Sequence, residues 1–377
     1  LCFLIALCFA EVSARFDATG GAYVYAREAF GDFVGFEVGW MTCCVAIISW
    51  AALSNGFTLV LSHFWPAAGE GLTQKVVALS VITGLTLVNT MGASWGAAVV
   101  KFFTVAKLIP LTLFIAVGLF FIDASHFEPF APHGTAPLAD TTMLLLYAYA
   151  GFETLVVPAG EMDNPQRNVP RALFIVMAVV TIVYMGIFGV AVGTFEGIAG
   201  HANPVAAASA AFMGPAGGTL IAIGICLSVF GTNCGSALVN PRRFYAMAER
   251  GDLPPKLATT DPETGAPRVA IGLTWLLACG LSLSGSFVEL AVLGVVARFA
   301  QYIPTCLAVL VFRKRLGPGE GFRIPGGPVL PLITVILCLT LLANSDPSRL
   351  IKGGIALLAG VPLYFLSRKA GWAYSTQ

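Results

Sequence analysis

The stretch MLLLYAYAGFETLVVPAGEMDNPQRNVPR, residues 143–171, predicts both the fold class and a binding site. It begins as an apolar helix suited to a membrane and then alternates small residues with aromatic ones as far as Gly151. Glu153 follows at once, and a carboxylate so far inside an apolar span usually faces the protein interior or a water-filled cavity. Gly151 weakens the helix at this place, and backbone unwinds at membrane depth only where it lines a cavity or is buried in protein. The stretch therefore predicts a small-molecule site inside a polytopic membrane protein.

The composition excludes an ordinary soluble domain. The chain is 57% hydrophobic and 11% charged, whereas soluble domains contain about 25% charged residues. A net charge of +1 argues against a nucleic-acid partner. No set of paired acids, His with Ser, or metal ligands indicates an enzyme, and no cofactor or metal is expected. The four histidines fall in predicted loops without metal-ligand spacing: His63, His126, His133 and His201.

Apolar runs predict about eleven transmembrane helices, the first of them the partial span Leu1–Ala10. If the loop after that span is cytoplasmic, sixteen of the 21 Lys and Arg residues fall on the cytoplasmic side and three fall outside. Such a bias predicts a multi-pass protein of the inner membrane with a cytoplasmic C-terminus. Since residue 1 lies inside an apolar run, a preceding helix is expected to be missing, with a cytoplasmic N-terminus before it.

Two short helices are predicted to lie in the membrane plane, within residues 11–30 and 194–215, on opposite faces and five spans apart. Equivalent features on opposite faces at an odd offset are typical of an inverted-topology repeat. In addition, five segments resemble, in order, the amino acid–polyamine–organocation (APC) superfamily of transporters. These segments are Ala10–Tyr25, Gly35–Trp40, Val105–Leu108, Ala150–Arg171 and Pro241–Pro254.

The resemblance implies an all-α fold of the LeuT type, in which two inverted five-helix repeats are followed by two extra helices. A single transmembrane domain would cover residues 1–377. Residues 1–122 would hold the family's helices 2–5, residues 141–312 helices 6–10, and residues 328–367 the two extra helices. The resemblance begins at the family's second helix, so the first helix, which binds the amino and carboxylate groups of the substrate, is expected to precede residue 1.

The broken segment supplies the first candidate substrate-binding residues. They look like the family's unwound sixth helix, whose free backbone groups bind a zwitterion, although small residues also form ordinary packing faces between membrane helices. Tyr147 stands where arginine-exchanging relatives have a gating aromatic side chain, with plain packing as the alternative. The candidates are Tyr147, Ala148, Ala150, Gly151 and Phe152.

Three charged residues are candidates for coupling or gating. Glu153 could carry a proton, or could be a structural acid paired with a buried cation or with backbone. Lys107 occupies the place where proton-coupled relatives have a lysine instead of bound sodium, with snorkelling to the surface as the alternative. Arg298 lies about mid-membrane and needs an acidic or carbonyl partner, either as a structural tie or as part of a gate.

Polar faces of two other helices complete the candidate site. Thr42 and Ala46 share one face of the family's third helix, and Asn233 lies in its eighth. These positions could line the pocket, but hydrogen bonding between helices is an equally good interpretation.

Taken with the resemblance, the residues predict a permease that moves amino acids or related amines by alternating access, driven by the proton motive force. Exchange of one amino acid or amine for another is the first alternative, and a transporter-like amino acid sensor is the second. The expected partners are the substrate, protons and the lipid bilayer. A homodimer is a candidate oligomeric state.

Overall fold

A computed structural model describes residues 1–129, 134, 138–157, 159–198, 201, 203–317 and 321–370 of the chain. The described residues form α-helices joined by turns and short 3-10 segments. The helices are α1 (Cys2–Ser13), α2 (Ala22–Phe30), α3 (Asp32–Leu61), α4 (Gly71–Thr90), α5 (Ala93–Gly118), α6 (Leu138–Tyr149), α7 (Pro165–Thr194), α8 (Pro204–Glu249), α9 (Arg268–Ser284), α10 (Phe287–Leu316), α11 (Val329–Ala343) and α12 (Pro347–Lys369). Among the described residues, seven helices are long and apolar enough to cross a membrane, and α1, α9 and α11 are shorter apolar helices. The chain is therefore a multi-pass membrane protein, as its composition predicts.

Burial divides the long helices into an inner and an outer group. In the most apolar windows of α3 and α10, 61% and 67% of the residues are buried, against 17% in α4, α5, α7 and α12. Large side chains fill the space around the inner pair, among them Phe36, Trp50 and Phe299. The outer helices present their exposed apolar side chains to the lipid, which requires no polar surface there.

Glycines allow the outer helix α5 to approach α8 closely. A Cβ added at Gly231 would lie 2.5 Å from Phe103 Cβ, and one added at Gly224 would overlap Pro110. Small residues at such positions are typical of helix packing in membranes. The short helix predicted within residues 194–215 is the first part of α8, which bends at Gly214, where φ is 71° and ψ is −177°.

An ion pair fastens α1 to the end of α10. Arg313 Nε and Nη2 donate to Glu11 Oε1 and Oε2 at 2.6 and 2.5 Å, a bidentate arrangement. The backbone N–H of Ile324 donates to Glu11 Oε2 at 2.8 Å. α1 therefore runs three residues past its predicted end at Ala10, to Ser13, and buries this carboxylate; the short helix α2 lies within the predicted range 11–30.

Candidate functional site

The helix of the segment 143–171 breaks where the sequence predicts that it is weakest. α6 ends at Tyr149, Ala150 and Gly151 form a turn, and a single 3-10 turn follows. Gly151 has φ 125° and ψ −23°, a conformation that residues with a side chain rarely adopt. The Tyr184 hydroxyl donates to the carbonyl of Ala148 at 2.8 Å, so α7 supports the last turn before the break.

A buried ion pair lies directly beside this break. Arg298 Nε of α10 donates to Glu153 Oε1 at 2.9 Å, and the two side chains are 8% and 2% exposed. Glu153 Oε2 accepts the N–H of Gly151 at 2.9 Å. Arg298 Nη2 donates to Ser49 Oγ of α3, also at 2.9 Å. Both features of the structural interpretation of Glu153, a buried cation and a backbone hydrogen bond, are thus present, and the pair joins the break to α3 and α10.

Aromatic side chains enclose the break from two directions. The ring of Phe152 stacks on Tyr302 with centroids 5.9 Å apart and meets Phe9 of α1 edge-on, also at 5.9 Å. The ring of Tyr147 meets Phe287 edge-on at 5.8 Å. Its hydroxyl is buried and finds no hydrogen-bond partner within the described part of the chain. A hydroxyl without a partner is free to bind a polar ligand or water.

A small cavity lies against Glu153 and is lined by Thr42, Arg243 and Gln301. Its volume of about 10 Å³ admits about one water molecule, so this conformation holds no amino acid there. Arg243 Nε and Gln301 Nε2 are buried without a hydrogen-bond partner among the described residues. The Thr42 hydroxyl donates to the Gly39 carbonyl of its own helix at 2.7 Å. Because an unpaired buried donor costs about 1–3 kcal/mol, such groups are typical of a place that meets water or a ligand.

The other side of this cavity is closed by Tyr23 of α2. The Tyr23 hydroxyl donates to Asp252 Oδ2, after the end of α8, at 2.6 Å. Arg27 Nη1 reaches the same Asp252 oxygen at 3.1 Å and the Tyr23 oxygen at 2.8 Å. Burial raises the pKa of Asp252 above its ordinary value, although the Tyr23 hydroxyl and the Arg27 charge oppose that shift. These contacts hold α2 against the end of α8 and seal the space below the ion pair.

We expect Tyr23→Phe to lower the free energy of unfolding by about 1–2 kcal/mol, because the buried Asp252 carboxylate loses its shortest donor. The measurement is denaturant unfolding of the purified protein in detergent. Tyr149→Phe is the matched control, since its hydroxyl lies 3.4 Å from Thr181 Oγ1, at the limit of a hydrogen bond. A loss as large in Tyr149→Phe as in Tyr23→Phe would contradict the importance of this contact.

Ala46 and Asn233 lie in the interface between α3 and α8. Asn233 Oδ1 accepts from Ser54 Oγ at 2.9 Å, and its Nδ2 donates to the Leu53 carbonyl at 3.2 Å. About two turns further along the same face of α8, Asn240 Nδ2 donates to the Ala46 carbonyl at 3.0 Å. At these two positions the structure shows hydrogen bonding between helices, the alternative that the sequence left open.

Lys107 is half-buried in α5 and is not in contact with the ion pair. It shares a helical face with Phe103 and Pro110, which both meet glycines of α8. Its ammonium forms no hydrogen bond or ion pair with a residue that the structure describes. Lys107 thus faces the α5–α8 contact without an acidic neighbour of the kind that Arg298 has.

Two residues of this cavity are not among the predicted site residues: Arg243 is counted with the cytoplasmic arginines, and Gln301 has no predicted role. Arg243 is buried between α8 and α3. Helical spacing contains a signal for it, because Asn233, Asn240 and Arg243 follow one face of α8 at intervals of seven and three residues. Gln301 lies one turn after Arg298 and could have been found in the same way.

The three histidines that the structure describes lie apart from this site. His63, His126 and His201 lie outside the α-helices, and His133 lies outside the described residues. His126 Nδ1 lies 3.0 Å from the Gly193 carbonyl. Across the described ranges, no group of three or more His, Cys, Asp or Glu side chains is placed to hold a metal ion.

The sequence is similar to known transporters over most of its length. Residues 1–349 match the family model described as amino acid permease. The serine/threonine exchanger SteT of Bacillus subtilis (strain 168) is 30% identical over 96% of this chain and 85% of its own length. The branched-chain amino acid permease BcaP of the same organism is 26% identical over 98% of this chain and 83% of its own. Asc-type amino acid transporter 1 of Mus musculus is 28% identical over 96% of this chain and 71% of its own length.

Proposed function

The chain belongs to the amino acid permeases of the APC superfamily, and we propose that it moves amino acids or related amines by alternating access. This family consists of transporters rather than enzymes. The proposed fold is of the LeuT type within a single domain over residues 1–377. The remainder of the first inverted repeat, helices 2–5, would lie in residues 1–122 and the second repeat in 141–312, followed by two extra helices in 328–367.

The observation that carries this proposal is the helix break at Ala150–Gly151 beside the buried Glu153–Arg298 pair. Irregular backbone at membrane depth is typical of substrate sites in secondary transporters, where free N–H and carbonyl groups bind the substrate's charged ends. Tyr147 and Phe152 would close the pocket around the side chain of the substrate. Thr42, together with Ala46 and Asn233 behind it, would form the wall on the α3–α8 side.

We propose further that a proton gradient drives the transport in the inner membrane, with the C-terminus in the cytoplasm. Lys107 is the proposed coupling residue because its ammonium has no acidic partner among the described residues. Exchange is the second candidate, and the name of the relative SteT, a serine/threonine exchanger, favours it. Glu153 and Arg298, already paired with each other, would position the break and shift with it during the cycle.

Uptake by the full-length protein in liposomes tests the function directly. A panel of labelled amino acids and amines is offered with and without an imposed pH gradient. Accumulation that follows the gradient would support a proton-coupled permease and identify its substrate. Uptake that occurs only when amino acid is present inside the liposomes would mean that the protein is an exchanger and is not driven by protons. Saturable binding without any flux would contradict the proposal that it is a transporter.

Lys107→Gln is expected to reduce gradient-driven accumulation about tenfold or more, because a positive charge that changes with the cycle is removed while the side chain stays long. Exchange without a gradient should change little. Lys101→Gln is the control, since Lys101 is exposed on the same helix. Gradient-driven uptake that is unchanged in Lys107→Gln would show that this lysine has no coupling role.

A further inference from the structure

A cleft of about 870 Å³ opens where α1 ends and α7 begins. Its walls are the end of α1, the first three turns of α7 and part of the segment before α11. None of the break or ion-pair residues lines this cleft, so it is separate from the proposed substrate site. It combines positive charge with apolar surface, and the residues that matter are Arg15, Arg167, Arg171, Phe174, Ile175 and Phe322.

The positive charge in the cleft is not balanced by a described acid. The side chains of Arg167 and Arg171 are exposed, and neither forms an ion pair with a carboxylate that the structure describes. Glu11, one turn before Arg15, is held by Arg313 at the far side. No acidic side chain is among the described residues that line the cleft. An anion is therefore the complementary ligand.

The charged and apolar parts of the cleft follow one another along a single face of α7. Arg167, Arg171 and Phe174 recur at intervals of four and three residues and so share that face. Phe174 is 50% exposed and Ile175 is 61% exposed. From Arg167 to Phe174 the surface changes from cationic to apolar over about 10 Å along the helix axis. A complementary ligand needs an anionic end at the start of α7 and an apolar end beneath it.

We propose that this cleft binds an anionic phospholipid. Its phosphate is held by Arg167 and Arg171, since a guanidinium binds phosphate through two parallel hydrogen bonds. The start of α7 adds the partial positive charge of a helix N-terminus. One acyl chain lies over Phe174 and Ile175. A free phosphate would leave this apolar half of the cleft unfilled, so the two halves together favour a lipid over a soluble anion.

Lipid binding by the purified full-length protein in detergent tests the proposal independently of transport. Native mass spectrometry counts bound phosphatidylglycerol and, in parallel, bound phosphatidylcholine. We expect Arg167→Gln/Arg171→Gln to weaken phosphatidylglycerol binding about tenfold to thirtyfold, since each basic residue contributes to the attraction of an anionic headgroup. Phosphatidylcholine binding should not change. Because both arginines are exposed, the unfolding midpoint should also stay the same.

Lys101→Gln/Lys369→Gln removes two exposed charges elsewhere and serves as the matched control. It should bind phosphatidylglycerol as the unmodified protein does. An equal loss of phosphatidylglycerol binding in this control would mean that binding depends on net charge, and would overturn the proposed lipid site. Unchanged binding in the double arginine variant would also overturn it. Displacement of the lipid by millimolar glycerol 3-phosphate would overturn the proposal of a lipid ligand and favour a soluble phosphate compound instead.

Discussion

Arg298→Met is expected to lower the free energy of unfolding by about 3–5 kcal/mol, because it leaves a charge buried without its partner. Arg298 Nε donates to Glu153 Oε1 at 2.9 Å, and Glu153 is 2% exposed, so water cannot replace the lost cation. Denaturant unfolding in detergent measures the loss. Arg315→Met is the matched control in the same helix, since Arg315 is exposed and reaches only the Glu28 carbonyl at 3.4 Å. That variant should lose less than about 1 kcal/mol.

The double variant Glu153→Met/Arg298→Met separates the cost of a lone charge from the cost of losing the pair. Replacing a whole buried ion pair by apolar side chains is often nearly neutral, whereas breaking it is expensive. We therefore expect the double variant to be more stable than Arg298→Met alone, so that the two single losses do not add. Additive losses would mean that Glu153 and Arg298 contribute to stability through other contacts.

The sequence predicted those parts of the structure that depend on local chemistry. Long apolar runs without charges predicted the spanning helices, because backbone groups in lipid must be satisfied within the helix. Gly151 and Glu153, two residues apart, predicted the break, since the glycine weakens the helix and the carboxylate requires polar surroundings. The end of α1 was predicted three residues too early, at Ala10, because Glu11 is charged, whereas Arg313 neutralises its carboxylate inside the protein.

The partners of the charged residues could not be predicted, because helical periodicity shows which residues share a face but not which face it meets. Glu153 and Arg298 are 145 residues apart in the chain, and Tyr23 and Asp252 are 229 apart. The sequence required an acid or carbonyl near Arg298 but gave no way to choose Glu153 from the other acids. Arg243 illustrates the same difficulty, because arginines near helix ends are usually assigned to the membrane surface.

The second large effect is expected at the helix break, where Gly151→Ala should reduce transport about tenfold or more while the protein remains folded. Gly151 has φ 125° and ψ −23°, and an alanine there would be strained by about 1–3 kcal/mol. A Cβ at this position would meet nothing within 4 Å, so the strain lies in the backbone rather than in a clash. Relief of that strain would move the Gly151 N–H away from Glu153 Oε2, which it now reaches at 2.9 Å.

Gly189→Ala tests whether the conformation, rather than the loss of a glycine, is responsible. Gly189 lies within α7 at a helical φ, and a Cβ there also meets nothing within 4 Å. Alanine is favoured over glycine inside a helix by about 1 kcal/mol, so this variant should be at least as stable as the unmodified protein and transport normally. The two substitutions add the same methyl group into open space and differ in backbone conformation. If the Gly151→Ala variant instead transports as well as the Gly189→Ala variant does, transport does not depend on the positive φ of residue 151. The proposal that the irregular backbone of the break forms the substrate site would then be wrong.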